Sequence, residues 1–567
     1  MMDGDGKGYW QRLTRRQLLR STGMVAGGAL AGSVLAACGG GSNNKPSSST
    51  ATALKTAAVG AASATAAAAP GIVGGKFTVA TTTPPPTLDL MNSLTAATRE
   101  VGWFTIEALV SYDENFKPLP VLAEKWDISP DGLTYTFPLR KGVKFHNGKE
   151  MKAEDVIAST DRFLKVTSRP AGFKVIDKYE AKDDYTVTFT LKAPSASFID
   201  NMAYPLGYMG IFPKEVIQGK AVDQIKAADM IGTGPYTFAE FVPDQFVRYT
   251  RFKDYQATSG NRNGLGGNKT PYFDEITLKS VPETGTRLSG LQTGELDYAA
   301  SLPFTAYDDL KNNAKTTPVL WPYANIEVLT FNHADPLTGK LQFRQAIQML
   351  LDADALGKAM TNGRKDFYSL DPSLWFKPTP WHNDQSANLY NQHSVQKAKS
   401  LLQQAGYNGE EISFITNRNY DASIYKPSVT IDESLKTDLG LKTNLQVLDW
   451  PGQVAKTKEK TGWHLAVTGL VSGPTFGPEG WASYVTGSGS IGLYNSDQMN
   501  AAYDKLSKTT SVDQRVALAK EIQRIFHEEV AMVSGPTTAD LSGIRSDIQG
   551  YAPWYQAPRF WNVWRKK

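Results

Sequence analysis

Residues 123–163 constrain the fold more than any other stretch, because they combine a strand, tight turns and the start of a helix. Residues 133–140 alternate apolar and polar side chains, and this period of two predicts a strand with one face in the core. Proline and glycine in residues 129–132 and 141–142 predict turns on both sides of the strand. Apolar residues at helical spacing from Ala153 onward predict a helix.

The order of these residues carries a family resemblance. The segments DGLTYTF (131–137), LRKGVKFHNG (139–148) and AEDV (153–156) resemble the signature of the family 5 extracellular solute-binding proteins, the peptide, nickel and oligosaccharide receptors of ABC importers. Two positions depart from that signature. Pro138 cannot donate a ladder hydrogen bond, which indicates an edge strand or a bulge. Lys152 replaces the usual capping threonine or serine, so we expect a weaker helix cap.

Further segments resemble the same family in the same order. They are IGTGPY (231–236), PYFDEI (271–276) and LQTGELD (291–297), and the resemblance extends over residues 75–567. It implies an α/β protein with two lobes of the type II periplasmic-binding-protein kind, an additional inserted α/β domain, and a hinge. Chain crossings near residues 318 and 533 would form the hinge.

The implied domain boundaries follow from these motifs. Lobe I comprises residues 71–112, 232–318 and 533–567, the inserted domain comprises residues 113–231, and lobe II comprises residues 319–532. Local patterns add a strand near residues 75–80, helices over 101–111, 395–405 and 518–526, and an aromatic tail at 560–564 that returns to the first lobe.

Length and composition agree with a large globular protein. A chain of 567 residues with 41% hydrophobic and 20% charged residues is too long for one core and predicts two or three domains. The net charge of +4 comes largely from residues 1–37, which hold five basic and two acidic residues. The remainder is nearly neutral, so nothing in the charge balance indicates nucleic acid or an acidic membrane surface.

The amino terminus has the features of an export signal. Residues 14–20 (TRRQLLR) resemble a twin-arginine motif, and the apolar run of residues 24–37 is too short to span a bilayer. The run ends in LAACG (35–39), which resembles a lipobox. Cys38 is the only cysteine, so there is no intrachain disulfide, and we predict that its thiol is lipidated. Residues 38–70, rich in Ala, Ser and Thr, predict a disordered tether. The protein is therefore expected outside the cytoplasm, anchored to the cell membrane.

Motifs of an enzyme or a cofactor site do not occur. There is no Gly-x-Ser-x-Gly elbow, no His-Glu-x-x-His and no phosphate-binding P-loop, so we predict no catalysis and no cofactor. The six histidines are scattered singly, and only His464 lies in a segment that would suit a nickel site.

The resemblance also implies positions for the ligand. In the oligopeptide binders of the family, a tryptophan, a later Gly-Trp and a following aspartate line the cleft, and the aspartate pairs with the peptide's α-amine. Trp450 matches the first tryptophan, Leu470 stands at the second, and Gly473 or a neighbour stands at the aspartate. The usual anchor for a peptide amine is thus missing. The candidate ligand-binding residues are Thr82, Thr83, Trp450, Leu470, Ser472, Gly473, Thr475, Phe476 and Trp481.

The resulting hypothesis is a monomeric, lipid-anchored substrate-binding subunit that delivers its solute to the permease of an ABC importer. Peptides lead on the family resemblance alone. The missing aspartate and the 12 tryptophans keep oligosaccharides or another organic solute open. From other classes, a secreted hydrolase would show turnover, and a chemosensory receptor would bind a signalling partner.

Overall fold

The computed structural model describes residues 71–567, except residues 94, 168, 196, 223, 378, 471–476, 488–489, 510–511 and 555–557. The predicted signal, the lipidation at Cys38 and the tether lie outside the described residues. Within them, no helix has the length and apolar character needed to cross a membrane.

The strands in chain order are β1 Lys76–Thr81, β2 Val110–Tyr112, β3 Pro118–Pro120, β4 Asp127–Ile128, β5 Thr134–Pro138, β6 Ile176–Asp183, β7 Thr186–Leu191, β8 Tyr236–Val242, β9 Phe246–Arg251, β10 Arg262–Asn263, β11 Gly266–Gly267, β12 Glu275–Ser280, β13 Tyr298–Leu302, β14 Thr316–Phe331, β15 Tyr368–Ser369, β16 Glu411–Asn417, β17 Lys442–Leu448, β18 Leu465–Leu470, β19 Met532–Arg545, β20 Ile548–Gln549 and β21 Trp564–Arg565. The α-helices are α1 Ala96–Gly102, α2 Ala153–Val166, α3 Phe198–Ala203, α4 Lys214–Ile217, α5 Thr284–Thr293, α6 Tyr307–Asn312, α7 Leu341–Leu350, α8 Ala353–Met360, α9 Val395–Ala405, α10 Lys426–Thr437, α11 Trp450–Lys456, α12 Ala482–Val485, α13 Asp497–Lys508 and α14 Val512–Glu528.

One large mixed sheet organises the described residues. Its strand order is β17-β16-β18-β14-β19-β13-β1-β12-β9-β8, with β15 paired to β19. A separate antiparallel sheet has the order β4-β5-β7-β6. Helices cover both faces of the second half of the large sheet, where β14 contributes Leu329 and Phe331 to one core cluster and Ile326 and Val328 to another. The alternation along β14 explains this division, because successive side chains point to opposite faces of a sheet.

The strand in the signature segment forms as predicted. Tyr135 and Phe137 are buried, while the alternating residues Thr134 and Thr136 are partly exposed. Pro138 is the last residue of β5, beyond the stretch that pairs with β4, so its missing N–H interrupts no ladder there. The helix that follows lacks a side-chain cap from Lys152, as expected, and the Asp155 carboxylate instead accepts a hydrogen bond from the Lys152 N–H at 2.9 Å.

The predicted helix over residues 101–111 is wrong in position. Helix α1 ends at Gly102, and residues 110–112 form β2, which pairs with β3. A side chain at Gly102 would lie 2.2 Å from a Leu90 methyl group, so this turn of helix packs directly on the preceding loop. Turn residues 103–105 follow the helix, so the apolar run continues beyond its end. The predicted helices at 395–405 and 518–526 are confirmed in α9 and α14.

The aromatic tail packs where it was predicted. Phe560 contacts Phe77 of β1, with ring centroids 4.9 Å apart, and Trp561 contacts Phe104. Only residues 564–565 of the tail form a strand, which pairs with β20. The tail, the first half of the large sheet and the four-stranded sheet share one hydrophobic core.

Gly232, in the segment IGTGPY (231–236), is required because the backbone at Thr105 approaches it closely. A Cβ at this position would lie 2.1 Å from the Thr105 carbonyl oxygen and 2.6 Å from Ile106 Cδ1. We expect Gly232→Ala to destabilise the protein by about 3 kcal/mol, measured by urea unfolding. Gly469→Ala is the matched control, because its Cβ would meet only Glu327 Oε1, at 3.8 Å. Equal stability of the two variants would contradict the close contact at Gly232.

Candidate functional site

Two long strands, β14 and β19, connect the halves of the large sheet. Near its end β14 pairs with β18, through residues 326–331, while the later part of β19 pairs with β13, through residues 541–544. The pairing between β14 and β19 shifts register between Trp321 and Asn325 and again between Ile326 and Val328. Such irregularities bend strands and increase their twist. The crossing between the halves therefore lies at residues 321–326 of β14 and 537–540 of β19.

The carboxyl ends of the parallel strands meet at this crossing from opposite sides. In the first half, β1 runs parallel to β12 and β13, and the last residue of β13, Leu302, pairs with Leu541. In the second half, β16 runs parallel to β17 and β18, and the last residue of β18, Leu470, pairs with Ile326. Ligands of open α/β sheets bind outside the carboxyl ends of the strands. The candidate site is therefore the cleft between these two edges, with the crossing as its floor.

The threonines predicted from the sequence lie at the first of these edges. Thr82 and Thr83 directly follow β1, and Thr83 is exposed. Thr83 lines a surface pocket together with Ser280 at the end of β12 and Glu100 of α1. Burial raises the pKa of Glu100 to about 7, an effect that the adjacent Arg99 partly offsets.

Trp450 lies at the opposite edge, two residues after β17. It begins α11, and its N–H donates to Asn419 Oδ1 at 3.0 Å. Its half-buried ring packs edge-on against exposed Tyr420, with centroids 5.3 Å apart. The carboxamide of Gln453, one turn along α11, donates to the Val467 carbonyl at 2.8 Å and thereby fixes the helix against β18. Trp450 is thus held at the cleft edge with part of its ring accessible.

Two other predicted site residues have side chains inside the core. Leu470 is 2% exposed and Trp481 is 1% exposed, and both belong to the same apolar cluster. The Trp481 ring packs edge-on against Phe526 of α14, with centroids 5.7 Å apart. Ser472, Gly473, Thr475 and Phe476 lie outside the described residues.

His464 lies at the far end of the second half. It precedes β18, so its imidazole is at the amino edge of that strand rather than at the carboxyl edge. Its Nδ1 accepts a hydrogen bond from the Ser413 N–H at 2.8 Å, a structural contact. Among the described residues there is no cluster of three or more His, Cys, Asp or Glu side chains with metal-binding geometry.

Sequence reasoning missed two carboxylates, Asp540 within the crossing and Glu327 directly after it. Asp540 of β19 accepts a hydrogen bond from Ser301 Oγ at 3.1 Å. Burial raises the pKa of Asp540 to about 6, while the hydrogen bond from Ser301 and the charge of Arg287 partly oppose that effect. Glu327 of β14 lies directly after the crossing and is 3% exposed. The signal that could have found it is a lone charged residue in the apolar strand segment IEVLTF (326–331).

Arg287 of α5 organises the first edge of the cleft. Its buried guanidinium donates to the carbonyl oxygens of Val281 and Pro282, after β12, and of Ala300 and Ser301, in β13, at 2.7–2.9 Å. These bonds tie the ends of neighbouring strands together. The loops that border the cleft on this side are therefore rigidly attached to the sheet.

Comparisons with known proteins agree with this architecture. A sequence profile of the bacterial extracellular solute-binding proteins, family 5 Middle, matches residues 117–492. The glutathione-binding protein GsiB of Pectobacterium atrosepticum is 29% identical over 460 residues, which cover 77% of this chain and 84% of that protein. The di/tripeptide-binding protein 1 of Pseudomonas aeruginosa is 29% identical over 450 residues, which cover 73% of this chain and 79% of that protein.

Solved structures show the same fold. The ABC transporter substrate-binding protein CtaP of Listeria monocytogenes matches with a TM-score of 0.76 at 21% identity, covering 87% of this chain and 100% of that one. The predicted fold class, a two-lobed α/β protein of the periplasmic-binding-protein kind, is confirmed by this likeness.

Proposed function

Because this chain belongs to family 5 of the bacterial extracellular solute-binding proteins, we propose that it captures a solute outside the cytoplasmic membrane and delivers it to the permease of an ABC importer. Capture is non-covalent and involves no catalysis. The lobes, with the boundaries expected from the sequence, close on the solute by a hinge at the crossing of β14 and β19.

The observation that carries this proposal is the meeting of two sets of strand ends at one crossing. Each half presents its carboxyl edge to the other, and only β14 and β19 of the described strands pair in both halves. Two bodies joined by two irregular strands can rotate relative to each other by hinge bending. A solute that contacts both edges stabilises the closed arrangement by its differential affinity for it.

Peptides are the leading solute class. GsiB and the di/tripeptide-binding protein 1 are named for glutathione and for di- and tripeptides, which are all peptides. Oligosaccharides or other organic solutes are the alternative, since no carboxylate occupies the family's usual amine position and Trp450 offers an aromatic platform.

A thermal-shift panel on residues 71–567 tests the proposal. Tri-alanine and other short peptides are compared with maltotriose and with metal ions. A solute at 100 times its dissociation constant adds about 2.7 kcal/mol to the free energy of unfolding. Stabilisation by peptides supports the leading class, whereas stabilisation by sugars alone replaces it. Absence of any stabilisation across a broad solute library would count against the receptor function.

Trp450→Ala is expected to weaken binding of whichever solute the panel identifies. The exposed part of the indole forms the wall of the cleft at the second edge, and its loss removes apolar contact area from the complex. We expect at least a tenfold rise in the dissociation constant, about 1.4 kcal/mol, measured by calorimetry. Trp463→Phe is a poor control because that indole is buried. Tyr407→Ala serves instead, because Tyr407 is half-buried like Trp450 but lies at the amino end of the second half. A change below threefold would remove Trp450 from the site.

Cys38 is proposed to carry the lipid that anchors the protein. Acyl chains contribute about 0.8 kcal/mol per buried CH₂, so two or more chains hold a protein stably at a membrane. We expect Cys38→Ser to move the full-length chain from the membrane fraction to the soluble fraction and to abolish incorporation of labelled palmitate. Retention of the label in Cys38→Ser would contradict this assignment.

A further inference from the structure

Glu327 is a buried carboxylate without a partner at the cleft floor. Glu327 is 3% exposed, and neither Oε1 nor Oε2 has a hydrogen-bond partner on another described residue. It directly follows Ile326, the residue that pairs with the end of β18. Buried acids elsewhere in the described chain are paired, as in the contacts of Asp89 with Arg162 and of Glu107 with Lys269. Glu327 therefore differs from the structural carboxylates of the protein.

The strands on both sides of Glu327 present small residues to it. On β18 it pairs with Gly469, and an ideal Cβ at Gly469 would lie 3.8 Å from Glu327 Oε1. On β19 the bulge places Gly535 and Pro536 opposite this single residue. Of the three positions opposite Glu327, two are therefore glycines and one is proline, so none of them places a long cross-strand side chain over the carboxylate.

The charge state of Glu327 requires an explanation, because an isolated buried carboxylate is strongly unfavourable. Burial raises the pKa of Glu327 to about 8, its own backbone N–H lowers it in part, and no charged side chain contributes to the shift. The glycines that face it from β18 and β19 do not titrate. In the solute-free protein at neutral pH, Glu327 thus holds a proton, which a bound cation would replace.

We propose that Glu327 is the anchor for a protonated amine of the solute. This inference rests on the proposed function and narrows the solute class to molecules with a primary ammonium group. On binding, the ammonium donates N–H bonds to the carboxylate, and the proton that Glu327 held passes to solvent. The reaction exchanges one positive charge for another, so the buried site stays neutral overall. It also supplies the amine anchor that the residues after Leu470 lack.

Methylammonium is the probe that tests the site without knowledge of the natural solute. Protonated Glu327 should give a carboxylic-acid infrared band at pH 7 that is missing from Glu327→Gln. We expect 100 mM methylammonium to remove this band and to lower the proton affinity of Glu327 at least tenfold. Tetramethylammonium, which has no N–H donors, should have no such effect at equal ionic strength. A band that methylammonium leaves unchanged would overturn the proposal.

Gly469→Ala provides a variant that keeps the carboxylate and the fold. Its methyl group would lie at ordinary contact distance from Glu327 and fill the space beside it. We expect this variant to keep the infrared band of Glu327 and to lose the response to methylammonium. Glu411→Gln, at the amino end of β16 on the opposite edge, should respond as the wild type does.

Peptide binding separates this proposal from the proposed function. We expect Glu327→Gln to weaken tri-alanine binding at least tenfold and to abolish the difference between tri-alanine and its N-acetylated form. Equal affinity of wild type and Glu327→Gln for tri-alanine would overturn the anchor and leave the receptor function standing. If methylammonium displaces the proton but no solute in the library binds, the ammonium site stands and the receptor function fails.

Discussion

Lys269→Met is expected to lower the free energy of unfolding by about 3–5 kcal/mol, because it leaves the Glu107 carboxylate buried without its cation. Lys269 Nζ lies 2.8 Å from Glu107 Oε1, and the two side chains are 5% and 2% exposed. Glu107 also accepts hydrogen bonds from Thr233 Oγ1 at 3.0 Å and from the Tyr255 hydroxyl at 3.2 Å. The ammonium additionally lies 5.3 Å from the centroid of the Trp561 ring. The substitution therefore removes a charge from a network that joins four distant segments of the chain.

Urea unfolding at neutral pH measures this effect, and two further variants identify its origin. The double variant Glu107→Gln/Lys269→Met removes both charges and should be more stable than Lys269→Met alone. Lys125→Met breaks an exposed ion pair with Asp127 and should leave stability close to that of the wild type. A cost for Lys269→Met no larger than that for Lys125→Met would contradict the buried contact between Lys269 and Glu107.

The Glu107 network also explains why the segment IGTGPY (231–236) could be recognised from the sequence. Thr233 donates a hydrogen bond to Glu107, and Gly232 permits close approach to the Thr105 carbonyl. Two adjacent residues of one short motif therefore contact the same segment, residues 105–107. A motif whose residues pack densely in one place can be recognised without knowledge of the rest of the fold. The alternation of Tyr135 and Phe137 is of the same kind, because burial follows directly from strand geometry.

The candidate site was less accessible to sequence reasoning. Thr82 and Trp450 were named from the family resemblance, and each lies within two residues of the end of a strand, β1 and β17, at opposite cleft edges. Trp481 was included on family position, yet its indole packs against Phe526, a contact between segments far apart in the chain. Glu327 was missed because its unusual state depends on two glycines from other strands and on a bulge. The lone charge in the segment IEVLTF (326–331) is the one local sign of it, and the glycines opposite it lie far away in the chain.

Without solute, the wild-type protein is expected to lose stability as the pH rises toward 8. Glu327→Gln is expected to lose much less stability over the same range. The pKa of Glu327 is about 8 in the folded protein, against 4.5 for an unperturbed glutamate. Between these values the folded state binds one more proton than the unfolded state, so the free energy of unfolding falls with increasing pH. The stabilising contribution is complete below pH 4.5 and is lost as the pH passes through 8. From pH 5 to 8 the loss amounts to about 4 kcal/mol.

Other groups titrate in the same range, which is why the difference between the two proteins is the informative quantity. Burial lowers the pKa of His146 to about 4 and of His527 to about 4, so these groups make the folded protein more stable as the pH rises to 6.5. Glu100 and Asp540, with pKa values raised to about 7 and 6, act in the same direction as Glu327. These contributions are common to both proteins and cancel in the difference.

Urea unfolding midpoints at pH 5, 6.5, 8 and 9, without solute, measure that difference. Glutamine is neutral at every pH and resembles the protonated form of the side chain, so Glu327→Gln should approach or exceed wild-type stability only at the alkaline end. Glu411→Gln, on the opposite edge of the second half, should reproduce the wild-type pH profile. Parallel profiles for wild type and Glu327→Gln would mean that Glu327 ionises normally in the folded protein. In that case the buried carboxylate would already have a cationic partner, and no place would remain for the amine of a solute.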